Sequence, residues 1–261
     1  MMKLPITQVD AFADRPFTGN PAAIMPLEAW LDDAALQAIA LENNLSETAF
    51  TIPAEGDADY ELRWFTPATE VAMCGHATFA AGHVLIGDRA EIRFRTRKAG
   101  ILTVARDGAG YRMSLPAWRP EPRALPQVLA ALGVEGETHW HPQRYALVRL
   151  DNADAVRAVT PDFRALAAEG DLLTIVTAPG DETDIISRAF APGGGIDEDP
   201  VTGSAHAVLT PWWAERLGRN RFTAYQASAR GGHLDCTLDG DRVILGGRCA
   251  TVLEGNFLLA K

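Results

Sequence analysis

Only three cysteines stand in the chain, Cys74, Cys236 and Cys249. Odd in number and widely spaced, they offer no disulfide framework and no CxxC metal pair. Histidines and cysteines are too scattered for a zinc site, so no metal is expected. Long apolar runs are missing as well, and each one breaks off well short of a membrane span. The opening MMKLPITQVDAFAD lacks the apolar core of a secretory signal, and the expected location is cytoplasmic. No glycine-rich stretch has the spacing of a dinucleotide or P-loop fingerprint. Pro192-Gly193-Gly194-Gly195 has neither the following lysine nor the GxGxxG order, and is expected to be a flexible loop. Basic runs are absent too. Lys and Arg number 24 against 34 Asp and Glu, a net charge of -10. That balance repels phosphate backbones and anionic lipid, so neither nucleic acid nor membrane is an expected partner.

What is present is an ordinary globular composition over 261 residues, 47% hydrophobic and 22% charged. That is enough for one large domain or two small ones without covalent staples. Alternating and β-rich segments predict strands over 6–12, 46–52, 60–65, 91–96, 101–105 and 111–115. Asp32 marks the start of a helix reaching Asn43, and Gly75 opens an apolar helix over 76–86. The second half repeats this order. Helices are predicted over 125–132, 163–169 and 204–217, with strands over 145–150, 172–177, 184–190, 223–227, 234–238 and 242–245.

Two segments make the duplication concrete. Phe65-Thr66-Pro67 leads through a loop to Gly75-His76-Ala77, and Phe190-Ala191-Pro192 leads through a loop to Gly203-Ser204-Ala205. Each is followed by strands and an Asp-Gly hairpin signal. The expectation is two similar domains, each a curled sheet around a central apolar helix, joined through the proline-rich LPAWRPEPRALP. The boundaries read as 1–118, completed by a C-terminal strand at about 251–261, and 119–250. If the domains face each other, both central helices aim their N-termini into one cleft. Free N–H groups and the helix dipole then make an anion site without any lysine. Gly75 and Gly203 would let the backbone approach a ligand closely.

Four stretches carry a family resemblance: VDAFADRPFTGNPAAI at 9–24, NLSETAF at 44–50, CGHATFAAGHVL at 74–85 and EDPVTGSA at 198–205. In this order they resemble the PhzF-type phenazine-biosynthesis proteins, as does the tail from Gln226 through Arg230-Gly231-Gly232 to Gly246-Gly247. The resemblance covers almost the whole chain. It implies an α+β, diaminopimelate-epimerase-like fold of two pseudo-equivalent domains, each a curled, mostly antiparallel sheet around a central helix, with the active site in the cleft between them. It also implies a homodimer, a small carboxylate-bearing substrate, and neither metal nor organic cofactor. The best-understood member isomerises trans-2,3-dihydro-3-hydroxyanthranilate by a proton shift. Its proton-carrying carboxylate matches Glu47; its Gly-His pair matches Gly75 and His76; its second-motif Asp and Ser match Asp199 and Ser204. The phenazine enzymes tend to carry a small residue where this chain has Cys74, and Cys-Gly-His resembles the thiol base of related epimerases.

Each of these residues also has a plain structural reading. Glu47 alone could be a solvated strand-edge carboxylate, but its neighbours Leu45, Ala49 and Phe50 are apolar, and burial disfavours the charged form, which suits a proton carrier. His76 could simply pack at its helix start, where the dipole disfavours imidazolium and a neutral ring is expected. Asp199, held extended by Pro200, is either a turn aspartate or the group that holds a substrate hydroxyl or amine, or that orients His76. Ser204 is an N-cap-region hydroxyl or, with the Gly203 amide, a carboxylate donor. Cys74 is a buried small hydrophobe or a thiolate favoured by the helix start. Asn20, in Gly19-Asn20-Pro21, is a turn residue that the resemblance places near the site. Three functions follow: an isomerase with Glu47 as a single shuttling acid/base; a two-base epimerase or racemase using Cys74; or a non-catalytic small-molecule binder.

Overall fold

The computed structural model describes residues 1–259. Along the chain these form β1 (Met2–Ala11), β2 (Asn20–Pro26), α1 (Asp33–Asn43), β3 (Glu47–Pro53), β4 (Tyr60–Phe65), β5 (Glu70–Val71), α2 (Gly75–Leu85), β6 (Glu91–Thr96), β7 (Ile101–Asp107) and β8 (Gly110–Pro116). There follow β9 (Glu121–Pro122), α3 (Pro126–Leu132), β10 (Glu137–His141), β11 (Tyr145–Arg149), α4 (Ala153–Ala158), α5 (Phe163–Ala168), β12 (Leu173–Pro179), β13 (Ile185–Ala191) and β14 (Ile196–Asp199). The last elements are α6 (Gly203–Leu217), β15 (Arg221–Gln226), β16 (Gly232–Asp239), β17 (Arg242–Gly247) and β18 (Cys249–Leu259). They make two compact units, residues 1–114 with the segment from 246 onward, and residues 115–245.

In the first unit β1 lies antiparallel to β2, β2 parallel to β3, β3 antiparallel to β4, β4 parallel to β6, and β6 antiparallel to β7. On the other side of β1, β18 runs antiparallel from Met2↔Leu259 to Ala11↔Cys249. Helix α2 touches β1, β2, β3 and β7, so this sheet curls around it. Gly75 to Gly82 are accordingly all buried, and the helix is apolar on every side. Phe79 of α2 stacks on Phe12, ring centroids 4.5 Å apart. Burying each ring stabilises the unit by roughly 1.5–3 kcal/mol. Gly82 of α2 packs directly on β7, where a Cβ would lie 2.5 Å from Val104 Cγ1. Helix α1 begins because Asp32 Oδ1 accepts from Ala35 N–H at 2.7 Å, and ends at Asn44, whose φ of 48° is left-handed. Its buried face, Leu36, Ile39 and Ala40, packs with Leu4, Met25, Phe50 and Phe65.

The second unit repeats the pattern. β10 is antiparallel to β11, β11 parallel to β12, β12 antiparallel to β13, β13 parallel to β15, and β15 antiparallel to β16. Even the short strands correspond: β5 pairs antiparallel with β4, and β14 antiparallel with β13, each just before a central helix. Helix α6 is buried from Ala205 to Ala214 on nearly every residue. Pro211 inside it cannot donate to the Ala207 carbonyl four residues earlier. The Trp118 N–H donates to that carbonyl instead, at 3.0 Å. The expected loop at Pro192–Gly195 is instead a 3-10 turn over Pro192–Gly194, closed by Gly195 N–H donating to Pro192 O at 3.0 Å. Gly193 sits so close to the Gly170 carbonyl that a Cβ would meet it at 2.0 Å, so packing as well as hydrogen bonding defines this segment. Among the described residues, no helix is long and apolar enough to cross a membrane.

Candidate active site

Neighbouring elements of the first unit bring five of the expected residues together. Glu47 opens β3 and is in register with Ala22 of β2. Asn20 opens β2 opposite Ala11. The turn before it needs Gly19, at φ +66°, where a Cβ would strike the Ala11 carbonyl at 2.2 Å. Cys74 precedes α2, and Gly75 and His76 are its first two residues. All five are buried; Glu47 retains 8% exposure, Cys74 6% and His76 4%.

His76 is the centre of the cluster. Its Nε2 lies 2.9 Å from Glu47 Oε2. The contact is close but bent, and neither atom has an aligned hydrogen-bond partner among the described residues. On the other side of the ring, Asn20 Nδ2 donates to Nδ1 at 3.1 Å, and Cys74 Sγ lies 3.5 Å from the same nitrogen. An amide nitrogen only donates, so Nδ1 accepts and the neutral ring carries its proton on Nε2, facing Glu47. A second proton would fall on Nδ1, and Asn20 would have to turn its Oδ1 to receive it.

Burial works against an imidazolium at His76, while the Cys74 sulfur and the Glu47 carboxylate work for it; the balance lifts its pKa well above that of an ordinary histidine. Cys74 contributes this pull only as a thiolate, and burial with the Glu47 charge pushes its thiol up to about 11. At neutral pH, Glu47 is therefore the neighbour that draws a proton onto the ring. The favoured thiolate expected from the helix start is corrected here. Burial governs the sulfur, while at the imidazole burial opposes the charge that the carboxylate opposite favours.

Glu47, Cys74 and His76 also place ligand-type atoms within 4.8 Å of one another. The imidazole stands between sulfur and carboxylate with one nitrogen toward each. That is the order of a proton relay; a metal would need the three donors turned toward one point.

In the second unit Asp199 ends β14, and Thr202, Gly203 and Ser204 lead into α6. Thr202 Oγ1 donates to Asp199 Oδ2 at 2.5 Å. Ser204 shares a side-chain hydrogen bond with Tyr145, whose hydroxyl burial pushes upward in pKa. His206 Nδ1 donates to the Thr202 carbonyl at 2.8 Å; burial lowers this ring's pKa to about 4, so it is neutral and structural. Gln226, quoted above only within a motif, is fully buried and bonded to Asp199 and Thr202. Tyr145 likewise carried no signal as a strand tyrosine.

Comparison with known proteins gives the family. The model for phenazine biosynthesis-like proteins matches residues 9–255. An uncharacterized isomerase of Pseudomonas aeruginosa is 50% identical, over 99% of this chain and 100% of its own length. The phenazine biosynthesis-like domain-containing protein of Homo sapiens is 39% identical, over 97% of this chain and 99% of its own. Among solved structures, a PhzF-family protein of Enterococcus faecalis superposes with a TM-score of 0.93 at 44% identity, covering 99% of this chain and 100% of that one. A hydroxyproline epimerase of Agrobacterium vitis shares the fold, with a TM-score of 0.64 at 11% identity over 97% of this chain and 92% of its own. With α+β units of one shared strand order, each wrapped on a central helix, the chain belongs to the phenazine biosynthesis-like family of isomerases.

Proposed function

We propose that this protein moves a proton on a small carboxylate-bearing substrate, cyclic ones included, with Glu47 as the general acid/base and without metal or organic cofactor. The observation that carries the reading is the buried, bent contact between Glu47 Oε2 and His76 Nε2 at 2.9 Å. A carboxylate there can take a proton from an activated carbon, leaving the negative charge in the substrate's conjugated system, and return the proton elsewhere on the same face. His76 and Asp199 are the further catalytic residues of this reading, and Asn20 and Gly75 of the first unit and Gly203 and Ser204 of the second are its substrate-binding residues. Neither α2 nor α6 has a side-chain cap at its N-terminus, which leaves backbone donors for a carboxylate. The proposal includes a cytoplasmic homodimer; Leu253 and Leu258 of β18 are exposed apolar side chains that a second copy could cover.

Glu47→Gln is the test. After a melting-shift screen of cyclic carboxylic and amino acids has found a substrate, the variant should bind it but turn it over more slowly, by on the order of a hundredfold to ten-thousandfold. In heavy water the wild type should place deuterium at the new C–H position with some of the original hydrogen retained, the mark of one shuttling carboxylate. Full turnover by the Gln variant would remove Glu47 from the mechanism. A two-base route through Cys74 requires Cys74→Ser to collapse activity; with a buried thiol at about 11, a mild effect is expected.

A further inference from the structure

The duplication reaches one pair of charged side chains in each unit. Arg63 of β4 stands two residues before Phe65, and Arg188 of β13 two residues before Phe190. Phe65 is in register with Thr48, and Phe190 with Thr174. Glu70 of β5 and Glu198 of β14 each stand five residues before the glycine that opens a central helix. In both units the arginine grips the glutamate through two parallel bonds. Arg63 Nε donates to Glu70 Oε1 and Nη2 to Oε2, both at 2.8 Å. Arg188 makes the same fork with Glu198, at 2.7 and 2.9 Å. Each guanidinium also lies over its phenylalanine ring, 5.0 Å from the Phe65 centroid and 4.9 Å from that of Phe190.

The positions that carry chemistry do not repeat in this way. The residue before the helix-opening glycine is Cys74 in one unit and Thr202 in the other, and the residue after it is His76 or Ser204. A fork that recurs where the neighbouring chemistry differs points to a mechanical task common to both units. In the first unit that task is plain. β5 has only two residues, paired as Trp64↔Val71 and Phe65↔Glu70, so its backbone ladder is a weak hold. Arg63 is 2% exposed, and its Nη2 also meets Asp33 Oδ1 of α1 at 2.9 Å, which ties β5 to that helix. Arg97 Nη1 adds a bond to Glu70 Oε2 at 3.1 Å. Two paired planar groups fix direction as well as distance. From β5 the chain runs through Ala72 and Met73 to Cys74 and into α2. The titratable groups facing His76 there are Glu47 and Cys74, with the Asn20 amide on Nδ1.

We infer that Arg63 and Glu70 are positioning residues for His76: their fork fixes β5, and through the entry to α2 it sets the imidazole against Glu47. This rests on the reading of Glu47 and His76 as the groups that handle the proton.

Nitrogen-15 NMR of the full chain with labelled histidine tests it, the His76 signals being identified by their loss in His76→Gln. Glu70→Gln and Arg63→Gln each break the fork but leave unbalanced charges of opposite sign. A displaced ring loses the pull of Glu47, so both variants should lower the His76 midpoint by about one pH unit, toward the value of about 6.5 of a free histidine. Shifts of opposite sign would make charge the whole effect and overturn the inference. So would a lower melting temperature with the His76 midpoint unmoved, the result that scaffolding alone gives. Glu198→Gln opens the matching fork of the second unit and should leave the His76 midpoint in place; an equal fall there would mean general loosening and refute a local role. Should Arg63→Gln not fold, Arg63→Lys decides, because it keeps the charge but cannot make two parallel bonds. A lowered midpoint in that variant supports the fork, and an unchanged one overturns it. Turnover retained in Glu47→Gln would remove the isomerase mechanism and leave these NMR outcomes as they are.

Discussion

His76 and His206 both lie in the buried first turns of the central helices, yet their surroundings drive them in opposite directions. His76 meets a carboxylate and is pulled toward protonation. His206 meets only a carbonyl, and burial drops its pKa to about 4. In the unfolded chain it titrates near 6.5. Its contribution to stability is fully present above that value and is lost as pH falls toward 4, because the unfolded state takes up a proton that the folded state refuses. The loss is on the order of 3 kcal/mol at the acid end. His206→Asn, whose amide can still donate to the Thr202 carbonyl, should show a flatter urea-denaturation stability between pH 6.5 and 4 than the wild type. Parallel pH curves for the two proteins would disprove this. At this scale the sequence was partly legible. Glu47, His76 and Asn20 stand in contiguous motifs, so their grouping could be expected. Gln226 could not be assigned a role, because its partners lie 24 and 27 positions away and nothing local marks a strand-end glutamine as a clamp.

Among the elements, the two central helices were the clearest in sequence, since each is a mostly apolar segment opened by glycine. Strands β2, β10 and β14 were not. β2 reads NPAAIMP, with a proline and two alanines where alternation is sought, and it is a strand because it is paired on both sides, to β1 and β3. β14 reads IDED, without any apolar pattern; pairing of Ala189 with Asp199 and of Ala191 with Ile196 holds it extended. Such strands depend on tertiary pairing, which local propensity does not record. Helix α4, six residues after the Asn152 cap, is too short for a periodic signal. The packing of α2 on β7 supplies a sharper prediction. Alanine has the higher helix propensity by about 1 kcal/mol, so Gly82→Ala would stabilise an exposed helix. Here the added Cβ would meet Val104 Cγ1, Cβ and Cγ2 between 2.5 and 2.9 Å. Because Val104 Cβ is itself in the way, no rotamer relieves the clash, and overpacking costs roughly 1–3 kcal/mol. The variant should therefore denature at lower urea; an unchanged or higher midpoint would show that α2 can shift away from the sheet.

For the molecule as a whole, duplication was legible because two Gly-opened helices, two Asp-Gly hairpins and two loop entries recur in order. Both units run antiparallel, parallel, antiparallel, parallel, antiparallel through their successive strand pairs. The first unit is discontinuous in sequence: β18 pairs with β1 along its length, and Phe257 and Leu259 pack on the cluster of Leu4, Met25 and Phe50. A chain stopped after Arg248 should leave β1 with an open hydrogen-bonding edge and that cluster uncovered, and should aggregate. Size-exclusion chromatography and thermal melting would check this; a truncated chain that stays soluble with an unchanged melting temperature would contradict it.

The same return of the chain has a consequence for biosynthesis. On the ribosome the second unit has all its residues once position 245 has emerged, while the first, begun earlier, still waits for 249–259. The full residue set of the second unit is thus available before that of the first, against the usual order in which the N-terminal domain folds first during synthesis. Through the interval of translating the second half, nascent β1 displays a strand edge without its partner, and in that window a chaperone has the most to hold.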